Sequence, residues 1–247
     1  MSQISDMLLN DALSEAELAG SPIAINGMKL LQLAGETGGI DLTKSGFFNR
    51  KCVVWAAEDF QWPGYEPGQL YRLYKVLNEQ DFWPFSVMHD LMVLGQLMRH
   101  RKGKAVLTSA GKAMLGKYGK LQTLLFETYF TRYDFSANER FPSYVKHDDY
   151  GHFFRVAANR LDDWVTLVDF AHWCLPVPLI PSILGRPEFE ACLHMRGNLV
   201  RPLVWLGLME EADAPHLTPI EQRRIRKAAL FDQFLHFGEY RSPKVYH

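Results

Sequence analysis

Gly95-Gln96-Leu97-Met98-Arg99-His100-Arg101-Lys102-Gly103-Lys104-Ala105-Val106-Leu107-Thr108, running into Ser109-Ala110-Gly111-Lys112-Ala113-Met114-Leu115, is the stretch on which the fold turns. An apolar helix ends in Leu-Met, two short strands surround a polar Gly turn, and a helix restarts at Leu-Thr. The Leu points inward from the last strand, and the Thr hydroxyl accepts from the free amides of the new helix. About 110 residues later the pattern returns as Leu206-Gly207-Leu208-Met209-Glu210-Glu211-Ala212-Asp213-Ala214-Pro215-His216-Leu217-Thr218, leading into Pro219-Ile220-Glu221. Thr218 and Glu221 have capping-box spacing, with Pro at the first helical position. Leu42-Thr43 shows the same step with no hairpin before it, so Leu-Thr alone marks only a strand-to-helix junction. The two full patterns predict a mainly α fold with short β-hairpins, built as tandem winged helix-turn-helix modules.

Outward from these motifs, apolar spacing predicts further elements. An amphipathic helix is expected over 3–18, a helix over Ile23–Leu33, a strand at Ile40–Leu42 and a helix over Phe47–Phe60. Residues 62–68 read as a Pro- and Gly-rich loop, followed by helices over Gln69–Asn78 and Pro84–Gln96. A helix over Leu121–Tyr133 and the polar, aromatic-rich stretch Asp134–Tyr150 separate the repeats. A helix is then expected over Phe153–Leu175, a pair over Glu188–Met195 and Asn198–Leu206 broken at Gly197, and a long last helix from Pro219 to about Phe237. The expected organisation is module one with an N-terminal helix at 1–120, a connector at 121–150, and module two with a C-terminal helix and tail at 151–247.

Composition narrows the function classes. With 47% hydrophobic and 22% charged residues, the chain has an ordinary globular balance. A formal net charge of −1 argues against a generally basic nucleic-acid coat, while leaving room for a local patch. Cys52, Cys174 and Cys192 are odd in number and far apart, which suits reduced thiols better than a disulfide framework. The start, Met1-Ser2-Gln3-Ile4-Ser5-Asp6, has no basic n-region. The most apolar stretch, Trp164–Leu184, carries Asp169, His172 and three prolines, so it reads as buried helix and loop and not a membrane span. A cytoplasmic protein with no membrane partner is the expectation.

Leu42-Thr43-Lys44-Ser45-Gly46-Phe47-Phe48-Asn49-Arg50-Lys51, Trp62-Pro63-Gly64-Tyr65 and Lys75-Val76-Leu77-Asn78-Glu79-Gln80-Asp81-Phe82 resemble an uncharacterised bacterial family of winged-helix-like character. These segments are also similar to the region accompanying a plasmid open-reading-frame domain of unknown role. The resemblance is clearest over roughly 28–118. It implies a bacterial origin and carries over no functional residue.

The strongest chemical feature is the first hairpin. From Leu91 to Lys120 there are Arg99, Arg101, Lys102, Lys104, Lys112, Lys117 and Lys120 and no acidic residue. Such a hairpin suits phosphate contact or minor-groove insertion; the plainer reading is a solvated basic turn. The preceding helix, Pro84–Gln96, offers Ser86, His89, Asp90 and Gln96 among apolar residues, a poor set for reading base edges. Module two contributes Asn198 and Arg201 on its corresponding helix and Arg223, Arg224, Arg226 and Lys227 near its end, but Glu210, Glu211 and Asp213 make its hairpin acidic.

Other motifs point less far. Gly38-Gly39-Ile40-Asp41-Leu42-Thr43-Lys44-Ser45 misses a phosphate-binding loop at Thr43 and follows a helix instead of a strand. His172-Trp173-Cys174 and Cys192-Leu193-His194 are i,i+2 pairs that point apart on a helix, which argues against a metal site. Asp148-Asp149 and Asp162-Asp163 suit solvated or capping roles. Neither a catalytic motif nor a cofactor motif is present, so a catalytic residue, an enzyme activity, a cofactor and a metal are not expected. The aromatic cluster Phe60, Trp62, Tyr65, Tyr71, Tyr74, Phe82, Trp83 and Phe85 reads as core or as an interface with module two or another subunit. The expected function is a non-catalytic, regulator-like nucleic-acid-binding protein contacting phosphates through the basic wing. The alternative is a protein-interaction or scaffold module of the same fold, with a protein partner or self-association as a homo-oligomer.

Overall fold

The computed structural model describes residues 7–60, 62–134, 149–177, 182–215 and 217–238. The described residues are mainly helical, with three small antiparallel sheets. The chain divides into two compact units, the first made of residues 11–142 with 201–208 and the second of 1–10, 143–200 and 209–247.

The first element among the described residues is β1 (Met7–Leu9), which belongs to the second unit. The first unit then runs through α1 (Pro22–Glu36), β2 (Ile40–Asp41), α2 (Arg50–Asp59), α3 (Pro67–Leu73), α4 (Trp83–Leu94), β3 (Met98–Arg101), β4 (Lys104–Leu107), α5 (Ser109–Met114) and α6 (Tyr118–Arg132). The second unit follows with α7 (Tyr150–Arg160), β5 (Val165–Thr166), α8 (Leu167–Cys174) and α9 (Pro187–Met195). A π-helical turn at Arg196–Val200 leads into α10 (Arg201–Trp205), which counts with the first unit. β6 (Met209–Glu211), β7 (Arg224–Lys227), α11 (Ala229–Phe234) and β8 (Leu235–Phe237) complete the second.

Both units string a helix, a strand, further helices and two closing strands. In each three-stranded sheet the last strand lies in the middle: β2-β4-β3 in the first unit and β5-β7-β6 in the second. In the first, Ile40 pairs with Ala105 and Asp41 with Lys104, while Met98 to Arg101 run against Leu107 to Lys104. In the second, Val165 pairs with Ile225 and Thr166 with Arg224, while Met209 to Glu211 run against Lys227 to Ile225.

Local chemistry explains most starts and stops. Ser21 caps α1, accepting from the Ala24 amide, with Pro22 in the first turn where its missing N–H costs nothing. The Ser21 hydroxyl also donates to the Gln122 side-chain carbonyl at 2.8 Å, and the Gln122 amide donates to the Leu206 carbonyl at 2.8 Å. All three lie in the interior, so this chain of bonds ties α1, α6 and the 201–208 segment together. Trp205 sits edge-on to Trp62 and Trp83, with centroids 6.1 and 5.1 Å away. Phe60, Trp62, Phe82 and Phe85 are buried, so half of the aromatic cluster is core of the first unit, while Tyr71 and Tyr74 are exposed.

Several sequence expectations are corrected. The described part of 3–18 is not a helix, because Met7–Leu9 pair with Leu235–Phe237 and 11–20 is turn, with the Ser14 amide and hydroxyl held by the Glu17 carboxylate. Phe153–Leu175 is interrupted: the Leu161 amide closes α7 on Ala157, β5 pairs with β7, and Thr166 caps α8. The second hairpin does not return before Thr218. Its returning strand is β7, where Ile225 is buried; Pro219 opens only a 3-10 turn without a side-chain cap, and in place of one long helix the chain forms β7 and the short α11. Gly197 does not break its helix, because the widened π turn keeps the backbone helical into α10. Pro202 brings no N–H to the Asn198 carbonyl four residues earlier, and the buried Tyr150 hydroxyl donates to that oxygen at 3.2 Å.

Gly207 carries a positive φ of 70°, and a Cβ built there would stand 2.3 Å from the Gly20 carbonyl oxygen. Gly207→Ala combines backbone strain with a backbone clash and is expected to lower unfolding stability by about 2 kcal/mol or more in urea titration. An unchanged midpoint would contradict this packing.

Candidate nucleic-acid interface

The first hairpin turns through Lys102 and Gly103, with φ of 49° and 74°. Two consecutive positive values are those of a type I′ turn, whose first position ordinarily holds Asn or Gly. A Lys there costs about 1 kcal/mol in left-handed backbone, so the tip carries a cation against its local preference.

Strand alternation sorts the hairpin. Met98, Ala105 and Leu107 are buried, whereas Arg99 and Arg101 are exposed, Arg99 lying opposite Val106 and Arg101 opposite Lys104. Like charges directly across an antiparallel pair repel. The anion on this sheet is Asp41 of β2, 3.3 Å from Lys104 in an exposed pair worth little. Arg99, Arg101, Lys102 and Lys112 have no ion-pair partner among the described residues. Thr108 caps α5, accepting from the Gly111 amide at 3.0 Å and donating to the Gln96 carbonyl at 2.6 Å. An open groove of about 790 Å³ lies against the hairpin, lined by Gln96, Arg99, His100, Thr108, Ser109 and Lys112 among others. Lys112, Lys117 and Lys120 are exposed beyond it.

The helix before the hairpin turns most of its residues to the core: Pro84, Phe85, Val87, Met88, His89, Leu91 and Met92 of α4 are buried, while Asp90, Val93 and Leu94 are exposed. Behind the hairpin lies a polar chain. Glu79, 2% exposed, faces His89 Nδ1 at 2.9 Å and also accepts from the Phe48 amide. His89, 4% exposed, stacks on the Phe48 ring at 3.9 Å and meets His100 Nε2 through its own Nε2 at 3.0 Å. His100 stands on β3, so the chain runs from a buried carboxylate to the basic hairpin. Its field reaches further: burial and then Glu79 push the Cys52 thiol up to about 12. Burial also raises Asp90, with His89 opposing it and Glu79 adding to it. This network escaped sequence reading because Glu79, His89 and His100 lie on three separate segments; the available signal was a His embedded in the mostly apolar run Val87–Met92.

The second unit handles its charges differently. Arg226 lies 2.6 Å from Glu210, its cross-strand neighbour. Arg196 and Arg223 lie 2.8 and 2.9 Å from Glu211. Burial pushes the Glu211 carboxyl up, but bonds and charge from both arginines outweigh it and hold it below the usual carboxylate range. Lys227 meets Asp162 and Asp232 at 3.0 and 3.1 Å and donates to the Ala158 carbonyl; burial opposes its charge, and the two carboxylates raise its pKa nonetheless. Arg224 is exposed and donates to the Trp164 carbonyl at 3.3 Å. Asn198 is buried, and Arg201 lies over the Trp83 ring at 5.2 Å. Among the described residues, no group of three or more His, Cys, Asp or Glu is placed to hold a metal ion, and no helix is long and apolar enough to cross a membrane. Cys52, Cys174 and Cys192 are buried and unbridged. Asp148 lies outside the described residues.

Residues 19–120 match the family described as the Y4jL N-terminal domain. The chain is also similar to the uncharacterised protein y4jL of Sinorhizobium fredii (strain NBRC 101917 / NGR234), 37% identical over 122 residues, which is 49% of this chain and 56% of that protein. The chain thus spans a little over half the length of this relative. Comparison with solved structures finds no match. The resemblance is therefore to an uncharacterised bacterial family, and the 19–120 match contains Glu79, His89, His100 and every cation of the first hairpin.

Glu79→Ala removes the acceptor of the Phe48 amide and the carboxylate facing His89. Breaking a buried pair from one side costs about 3–5 kcal/mol, so the variant is expected to shift the denaturation midpoint strongly, read by circular dichroism. A change under about 1 kcal/mol would show that Glu79 is not the buried anchor described.

Proposed function

We propose that this protein is a non-catalytic nucleic-acid-binding protein that contacts phosphates through the hairpin of β3 and β4. The observation carrying this reading is the unopposed charge of that hairpin. Arg101 faces Lys104, Lys102 occupies a strained turn position, and Arg99 and Lys112 extend the cations along the adjoining groove. A stable protein gains nothing from such an arrangement unless an anion completes it, and a phosphodiester backbone supplies anions in a row.

The fold reading goes with it. A helix, a strand, two or more helices and a closing hairpin whose last strand is central is the connectivity of a winged helix-turn-helix, and its occurrence in both units supports a tandem of two. In this reading the first hairpin is the working wing. The second wing, with Glu210 and Glu211 paired to arginines, and the buried α4, with few base-reading groups, both point to backbone contact without base readout. The phosphate surface is accordingly Arg99, Arg101, Lys102, Lys104 and Lys112.

A second reading, a protein-interaction module, is favoured by exposed apolar side chains: Tyr71, Leu73 and Val76, on and just after α3, are 41, 69 and 46% exposed.

Fluorescence anisotropy with duplex DNA at several salt concentrations separates the two. Replacing Arg101, Lys102 and Lys104 by Ala is expected to flatten the slope of log affinity against log salt by roughly 0.9 for each phosphate that is no longer neutralised, alike for unrelated sequences. No binding of the unaltered protein to duplex or single-stranded DNA or RNA at low salt would leave the interaction reading.

A further inference from the structure

We propose that the Glu79–His89–His100 chain is a proton-operated latch that holds the basic hairpin at neutral pH and releases it on acidification. The hydrogen inventory carries the argument. An ionised carboxylate only accepts, so His89 Nδ1, 2.9 Å from Glu79, carries a proton. The Nε2 to Nε2 contact of 3.0 Å between His89 and His100 has room for a single proton, on one ring or the other. That single shared proton keeps the Glu79–His89 and His89–His100 contacts matched, whichever ring holds it. A second imidazolium places N–H against N–H. The bond is then broken, and two cations face each other across the joint between α4 and β3.

The surroundings favour this outcome. His100 is held below its ordinary value, first by burial and then by the neighbouring His89 charge, with Glu79 pulling the other way. On its own strand it lies between Arg99 and Arg101 and pairs with Ala105, so strand alternation sends Arg99, Arg101 and Lys104 to the other face of the sheet. From α4 comes Asp90, whose own pKa is raised, and from α2 the Cys52 thiol, neutral at these pH values. The open groove of about 500 Å³ on which His100 opens is also lined by Arg132, Tyr133 and Asp134 at the end of α6, and by Ser45, Gly46 and Phe47. A base with a depressed folded-state pKa stabilises the closed state fully above its free value of about 6.5 and loses that stabilisation as pH falls below it. The latch therefore opens on the acid side.

The latch regulates the surface proposed above for phosphate contact and rests on that reading only for its effect on binding. The test is made first on the free full-length protein by amide hydrogen exchange of Met98–Leu107 at about pH 7.5 and about pH 5.5, corrected for chemical exchange, with the β6 and β7 amides as reference. Opening of the first hairpin is expected to rise by up to about tenfold per pH unit below about 6.5, while the reference strands stay protected. His100→Gln, whose amide can still meet His89 but does not titrate, is expected to show no pH dependence; His100→Ala is expected to leave the hairpin open at both pH values. Equal protection of the unaltered hairpin at both pH values, or the same acid-driven opening in His100→Gln, would overturn the latch. Anisotropy then separates the two ideas. DNA binding without pH-dependent protection sinks only the latch, and pH-dependent protection without binding to any nucleic acid sinks only the phosphate reading.

Discussion

A carboxylate removed from water must be met by donors or protonated, and Glu79 is the place in the first unit where this constraint organises the most structure. The Phe48 amide fixes the segment entering α2, His89 fixes the face of α4 turned toward it, and His100 carries the connection onto β3. Phe48 contributes twice, stacking its ring on His89 while its backbone holds Glu79. Glu79 and His89 are buried, which leaves them little freedom to turn away, while His100 carries their contact out to the exposed hairpin. The apolar core gives the first unit its stability, whereas this polar chain gives the hairpin its particular placement.

The two units set the same strand connectivity to opposite electrostatic uses. In the second, each hairpin cation that could serve a ligand is answered from inside: Arg226 by Glu210, Arg223 by Glu211, Lys227 by two aspartates. These pairs leave Arg224 as the exposed cation of that strand. In the first, the repulsion between Arg101 and Lys104 is relieved only in part by Asp41. The first hairpin thus keeps unbalanced charge at some cost to its own stability, the feature on which the proposed phosphate contact rests.

The junction between α9 and α10 illustrates how a local defect is absorbed. Pro202 in a helix interior would ordinarily break the ladder. Here the backbone widens into a π turn over Arg196–Val200, and the Tyr150 hydroxyl bonds to the Asn198 carbonyl. The helical run then delivers Trp205 and Leu206 into the first unit, where Trp62, Trp83 and Gln122 receive them.

Much of the first unit was legible in the sequence. Apolar spacing located α1, α2, α4 and α6 within a few residues, the Leu-Met pair, the Lys102-Gly103 turn and Thr108 located the hairpin and its capped helix, and the run of cations marked its chemistry. These features are local, written in three- and four-residue periods, turn conformations and caps. The largest failures were non-local. Met7–Leu9 has helix-like spacing but pairs with a strand about 228 residues away in the chain; Thr218-Pro219-Ile220-Glu221 has the letters of a capping box, but β7 takes the chain into a sheet a few residues later. The sequence by itself determined the helical elements of the first unit and the charge of its hairpin, because propensity, turn chemistry and charge act between near neighbours. Only the tertiary structure decided which cations are neutralised, which strands pair, and that Glu79, His89 and His100 meet, because burial and pairing depend on groups that the chain brings together from a distance.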